Sequence, residues 1–217
     1  MAAKKKKKKS KGEVLIYKIL IILFICFAIY VFFFHEGKQN ITTHYIAQTV
    51  EDNYGKEIDR NAELLNLPAA YFKALIMLES SGKKNIKPRF EVHVYERLKK
   101  VKNGERRKLE NITHAMIKYT PDDALENLAS SWGPFQIMGY KCIQLGVNVK
   151  DLRSDESIFW GMKWINENYG KILKQGRFKD AFHYHNTGKI YPKIGPSKTY
   201  DPNYVTNGLK YMTYFDN

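Results

Sequence analysis

Residues 14–34 form an apolar stretch of bilayer length, which limits what the chain can fold into more than any other feature. Its 21 positions are interrupted only by Lys18, and positions 19–34 carry no charge. About 20 apolar residues in a helix cross a hydrocarbon core, and a lysine near the end of such a helix can reach the headgroups. In lipid the backbone must satisfy its own hydrogen bonds, so a single span has to be helical. Lysines at positions 4–9 and 11 precede it. The positive-inside rule therefore puts the N-terminus in the cytoplasm and residues 36–217 on the other side. A cleaved signal peptide fits less well, because the apolar region is long and the bulky FFFHEG that ends it offers no small-residue cleavage site. The expected organisation is a basic cytoplasmic tail at 1–13, a transmembrane helix at 14–34, a stalk and leading helix at 35–59, and one folded domain at 60–217.

Charge has to be divided along the same lines. Residues 1–40 hold nine lysines and two acids, half of the net charge of +14, so the globular part is only moderately basic. Such an excess suits an anionic polymer or a membrane surface. With no arginine-rich helix or nucleic-acid motif, nucleic acid is not an expected partner. Cys26 lies in the apolar run and Cys142 far along the chain, so no disulfide between them is expected; both read as small buried hydrophobes. The flanks of Cys142, Lys141 and Ile143, supply no base for a catalytic thiol.

The globular part reads as mainly α with a small β element (α+β). Apolar positions in 43–66 fit one or two helices. A helix begins at Pro68, runs through AAYFKALIMLES and stops at Gly82. Another has Thr120 as cap, Pro121 in its first turn, and Asp122 and Asp123 at the positive end of its dipole. Later helical patterns cover 134–145, 154–169, 178–185 and 202–214. RFEVHVYERL, residues 89–98, alternates apolar and polar positions and is the best strand. The basic segment 99–108, centred on Asn103-Gly104, reads as a solvated turn.

Glu79 is the residue with the strongest chemical signature. In the last turn of an apolar helix, a carboxylate meets the negative end of the helix dipole and apolar neighbours, and both favour the neutral acid. A glycosidase needs such a carboxyl, still protonated near neutral pH, to donate to a leaving oxygen. Taken alone, the segment favours a surface glutamate near a helix end, and it is the other segments that reverse the balance.

Three segments in order, ESSG at 79–82, SSWGPFQIM at 130–138 and AFHYHNTG at 181–188, together resemble the lytic transglycosylase and goose-type lysozyme superfamily. The pairing of RFEVHVYERL with ALENLASSWGPFQIMGY resembles more closely the phage and bacterial N-acetylmuramidase family. The resemblance implies a lysozyme-like domain that cuts the MurNAc–GlcNAc β-1,4 bond of peptidoglycan strands. It makes Glu79 the general acid and puts Ser131, Gly133 and Gln136 along the saccharide cleft, with Asn186 matching the asparagine of the third motif. Where the family has a tyrosine before that asparagine, this chain has His185. The job of positioning the catalytic carboxyl then falls to the imidazole or to Tyr184. Trp132 and Phe135 either face sugar or pack in the core.

Glu91 and His93, two apart on the expected strand, share a face and match the family's F-E-x-H pair. Glu91 is either a second carboxylate that activates water or a structural link. If Glu91 is structural, one carboxylate must act as acid and then as base toward the C6 hydroxyl of the sugar, giving a 1,6-anhydro product. The reading leans slightly to that transglycosylase outcome over hydrolysis. A zinc site from Glu91, His93 and His183 or His185 lacks the H-E-x-x-H spacing, and no metal or cofactor is expected. The competing classes are a non-catalytic, membrane-tethered peptidoglycan binder of a secretion machine and a phage lysis protein.

Overall fold

The computed structural model describes residues 11–216, with side chains inside the first helix described at 20–31 and from 41 onward. The chain divides into two units, Met1–Tyr45 and Ile46–Asn217. The first consists, where described, of the start of α1 (Lys11–Val50). The expected membrane span lies within this helix, and its side chains outside 20–31 fall outside the described residues. Among the described residues no helix is long and apolar enough to cross a membrane. Cys26, expected to be buried, is exposed, whereas Cys142 is buried and its thiol is pushed up to about 11, chiefly by desolvation.

The second unit is mainly helical and begins earlier than residue 60. The end of α1 is followed by a π-helical turn, Glu51–Gly55, and by α2 (Lys56–Leu65). Ala47, Val50 and Ile58 from this region are buried in the core, so residues expected to form a stalk are part of the domain. Next comes α3 (Ala69–Ser80), whose consecutive residues from Tyr71 to Met77 are all buried. One polar side chain lies among them. Lys73 reaches Glu51 at 2.8 Å and Asp59 at 2.9 Å, tying the π turn and α2 to the central helix.

RFEVHVYERL is mostly not a strand. Only Arg89–Phe90 form β1, and Val92–Lys102 form the helix α4. Val94, Leu98 and Val101, the buried residues of α4, recur at helical spacing, so Val94 serves a helical stripe while Val92, which alternation would place beside it, is exposed. A small hairpin of β2 (Lys108–Leu109) and β3 (Ile112–Thr113) leads into α5 (His114–Ile117) and α6 (Asp122–Leu128). Pro68 and Pro121 are the caps of α3 and α6 rather than their first helical residues.

The expected helix at 134–145 is also corrected. β4 (Ser130–Trp132) reverses into β5 (Ile137–Met138), and only Lys141–Leu145 are helical, as α7. Two left-handed residues, Gly133 at φ 70° and Gln136 at φ 49°, bound the reversal, which no α-helix tolerates. β1, β4 and β5 form an antiparallel sheet with Arg89 opposite Ser131 and Trp132 opposite Ile137. A 3₁₀ turn, Val149–Arg153, precedes α8 (Ser157–Lys174), α9 (Phe178–Thr187) and α10 (Tyr204–Met212). α10 packs on α3 and α9, and α8 packs on α2 and α9, so α3 is surrounded by helices.

Candidate active site

Glu79 sits one residue before the end of α3, where the chain turns sharply. Ser81 and Gly82 are both left-handed, at φ 53° and 71°. At Gly82 a side chain is excluded by the end of α1, because a Cβ would lie 2.9 Å from Val50 Cγ2 and 3.0 Å from the Val50 nitrogen. Thus the glycine of ESSG lets the loop after Glu79 press against the helix before it. Two residues of the π turn hold that loop from the other side. Asn53 Nδ2 donates to the Gly82 carbonyl at 2.8 Å, and the Tyr54 hydroxyl donates to the Lys83 carbonyl at 2.7 Å.

Only 16 % of the Glu79 side chain reaches solvent. Burial pushes its carboxyl up from the usual 4.5 to about 7, and the Tyr204 hydroxyl and the Arg89 charge pull it partly back. Tyr204, in the first turn of α10, donates to Glu79 Oε1. It is itself 7 % exposed, and burial with the adjacent carboxylate holds its phenol well above the ordinary range, so it remains a donor. Tyr204, which the motifs did not mark, is thus bonded to the carboxyl that His185 or Tyr184 was expected to position. Tyr204 is one of many tyrosines in the sequence, and its only signal is a place in the first turn of a late amphipathic helix.

His185 approaches the same carboxyl from α9, with Nε2 3.8 Å from Glu79 Oε1. That nitrogen also lies 3.2 Å from the Phe135 carbonyl, which can only accept, so Nε2 carries the proton. Nδ1 is then the acceptor of the Tyr169 hydroxyl at 2.8 Å, and the Tyr71 hydroxyl donates in turn to Tyr169 at 3.3 Å. Burial depresses His185 to about 4, and the nearby Lys141 charge adds to the effect, so the ring is neutral. A break in helical geometry at Tyr169, with φ −146°, lies in α8 at the residue that reaches His185. Tyr184 packs its ring 5.1 Å from that of Tyr169, and Asn186 is exposed.

The motif around Trp132 forms the wall beside this network. Ser131 Oγ donates to Gln136 Oε1 at 2.8 Å, while Gln136 Nε2 donates to the Gly133 carbonyl at 3.0 Å. Gly133 needs its left-handed conformation and its lack of a side chain, since a Cβ would stand 2.4 Å from the Leu152 carbonyl oxygen. Ser131, Gly133 and Gln136 are thus brought together with one another, and Phe135, in the same turn, contacts His185 through its carbonyl. The Trp132 and Phe135 side chains pack in the core. Trp132 donates to the Asn127 carbonyl, and the Phe135 ring abuts Phe72.

Glu91 is not on a strand face with His93. It is the residue that caps α4, and Arg89 Nε holds it at 2.7 Å. His93 Nδ1 is 3.6 Å from the other Glu91 oxygen. Both nitrogens of His183 have structural bonds, one with the Lys189 carbonyl at 2.7 Å and one with the Lys198 amide at 3.0 Å. Among the described residues no three His, Cys, Asp or Glu side chains gather as a metal site. A separate groove, lined by Glu57, Arg60, Leu64, Asp155 and Phe159, contains none of the residues around Glu79. Its acids repel one another, with Asp155 adding to the desolvation that raises Glu57, and no bonded network there resembles a catalytic one.

This arrangement offers a transferable proton on a desolvated carboxyl, one hydroxyl bonded to it, one neutral imidazole beside it and a cation near it. No family model, curated protein or solved structure matches the chain.

Proposed function

We propose that the chain is a membrane-anchored, peptidoglycan-cleaving enzyme with a lysozyme-like domain, acting on the MurNAc–GlcNAc β-1,4 bond with Glu79 as general acid. The observation that carries this reading is the Glu79 carboxyl, desolvated at the end of a buried helix and protonated up to about pH 7. A glycosidic oxygen is a poor leaving group until protonated, and a general acid works best with a pKa near the operating pH. Once the proton has left, the carboxylate is stabilised by the Tyr204 hydroxyl and by the Arg89 charge, both of which favour the ionised form.

The route that needs the fewest groups is the transglycosylase one. Glu79 protonates the glycosidic oxygen and the C1–O4 bond breaks. As carboxylate, Glu79 then accepts the proton of the sugar's own C6 hydroxyl while O6 bonds to C1. The proton that was given returns, and the product is a 1,6-anhydro sugar. Glu91 supports this choice negatively, because its carboxylate is occupied by Arg89 and so is poorly placed to act as base or nucleophile. Exposed apolar side chains at 20–31, from Val31 at 46 % to Phe24 at 72 %, support anchoring in the cytoplasmic membrane, with the domain on its outer side.

The test is digestion of purified sacculi by the full chain in detergent, followed by mass spectrometry. Anhydro-muropeptides are expected, and Glu79→Gln releases none. Products heavier by one water mean hydrolysis and sink the transglycosylase route. Binding to sacculi without release at any pH from acid to alkaline leaves the non-catalytic binder as the correct class.

A further inference from the structure

Next to His185 lies a second charged cluster, of which only the Lys141 charge has entered so far, through its effect on the imidazole. The Lys141 ammonium stands 4.9 Å from the centre of the Trp164 ring and 4.8 Å from that of Tyr140, and Trp164 meets His185 edge to face at 6.4 Å. Only 11 % of the Lys141 side chain is exposed. A nearly buried cation requires an anion, and here it is Glu110: one oxygen accepts from the Tyr140 hydroxyl at 2.6 Å and the other pairs with Lys141.

The source of that anion is unusual. Glu110 is not part of the packed core but stands at the tip of the β2–β3 hairpin, each strand two residues long, and half of its side chain is in solvent. Its backbone is left-handed at φ 47°, a conformation that strains a glutamate and that a glycine would adopt freely. So the more buried members are the donors, and the acceptor comes from an exposed hairpin tip. Trp164 adds an independent sign. Its Nε1 is the buried side-chain polar atom without a hydrogen-bond partner among the described residues, although a buried indole usually finds an acceptor.

We propose that Tyr140 and Lys141, walled by Trp164, form a carboxylate-binding subsite beside the cleft, and that Glu110 is a tethered occupant which a carboxylate of the substrate displaces. The inference rests on the peptidoglycan reading and deepens it. The ligand chemistry is a free carboxylate, carried either by the stem peptides of a strand or by the lactyl groups of a peptide-free strand. Displacement exchanges one carboxylate for another on the same two donors, so the subsite discriminates without a net change in buried charge.

The experiment compares three substrates on the full chain in detergent: strands with free stem-peptide carboxylates, the same strands amidated, and peptide-free strands. KM is expected to be about tenfold lower for one of the two carboxylate-bearing forms than for the amidated form, and which one identifies the source. Lys141→Met brings the values together, and Tyr140→Phe, which keeps the packed ring, does so in part. Glu110→Gln lowers KM for the preferred form and leaves the amidated form behind. Equal KM values for all three forms with the native chain overturn the subsite, as does a Glu110→Gln variant that binds every form equally worse, the mark of a simple clasp. Calorimetric affinities on Glu79→Gln make the same comparison without turnover, so absence of cleavage would count against the enzyme reading and not be mistaken for absence of the subsite.

Discussion

A carboxyl that keeps its proton to about pH 7 when folded, but loses it near 4.5 when unfolded, makes folding less favourable as pH rises between those values. In that window the folded chain binds a proton that the unfolded chain has released, so the stability contribution present below pH 4.5 is lost by the time pH passes 7. The difference corresponds to roughly 3 kcal/mol at full effect. Replacing Glu79 with glutamine removes the titration at nearly constant shape. The variant is therefore expected to be inactive yet more stable than the native chain at pH 8, with the gain vanishing near pH 4; paired denaturant melts at the two pH values measure it. Activity of the native chain is expected to fall as pH rises through about 7, since the acid form is the competent one. Tyr204→Phe removes a bond that favours ionised Glu79, a loss of about 2 kcal/mol or roughly thirtyfold in kcat. Its alkaline limb moves upward rather than downward, and an unmoved limb would remove Tyr204 from the positioning role.

At the level of elements, α3 and its acid were legible because an apolar run bounded by Pro68 and Gly82 leaves little choice of structure, and ESSG marks where it ends. Two other segments carry patterns that fit more than one structure. Val92 and Val94 satisfy alternation over a few residues, whereas Val94, Leu98 and Val101 keep helical spacing and had the core to pack against. Residues 134–145 have helical composition, yet Gly133 and Gln136 take left-handed conformations that only the β4–β5 turn explains. Tyr204 was not legible, because its significance lies in the docking of α10 on α3 and not in its neighbours in sequence. That docking leaves a checkable mark. A Cβ at Gly208 would come within 2.8 Å of the Phe182 ring, so Gly208→Ala forces α10 away from α9. A loss of about 2 kcal/mol in chemical denaturation is expected, with reduced activity because Tyr204 moves with the helix. Full activity in a variant destabilised by that amount would mean that the position of α10 is not what holds Glu79.

For the whole molecule, the large apolar side chains described at residues 20–31 are exposed, and under the membrane reading lipid covers them. The full chain is accordingly expected to stay with the membrane pellet after alkaline carbonate extraction; release into the supernatant would contradict the anchor. The hydrogen bond between Glu79 and Tyr204 joins residues 125 apart, the first from α3 and the second from α10. A ribosome adding about 5–20 residues per second produces the acid several seconds to tens of seconds before the tyrosine that positions it. Until α10 has emerged and docked, a nascent chain has its proton donor without the partner that orients it. Under the proposed function, the acid is thus made well before the tyrosine that positions it, and the nascent domain becomes competent to cut the wall only once α10 has docked.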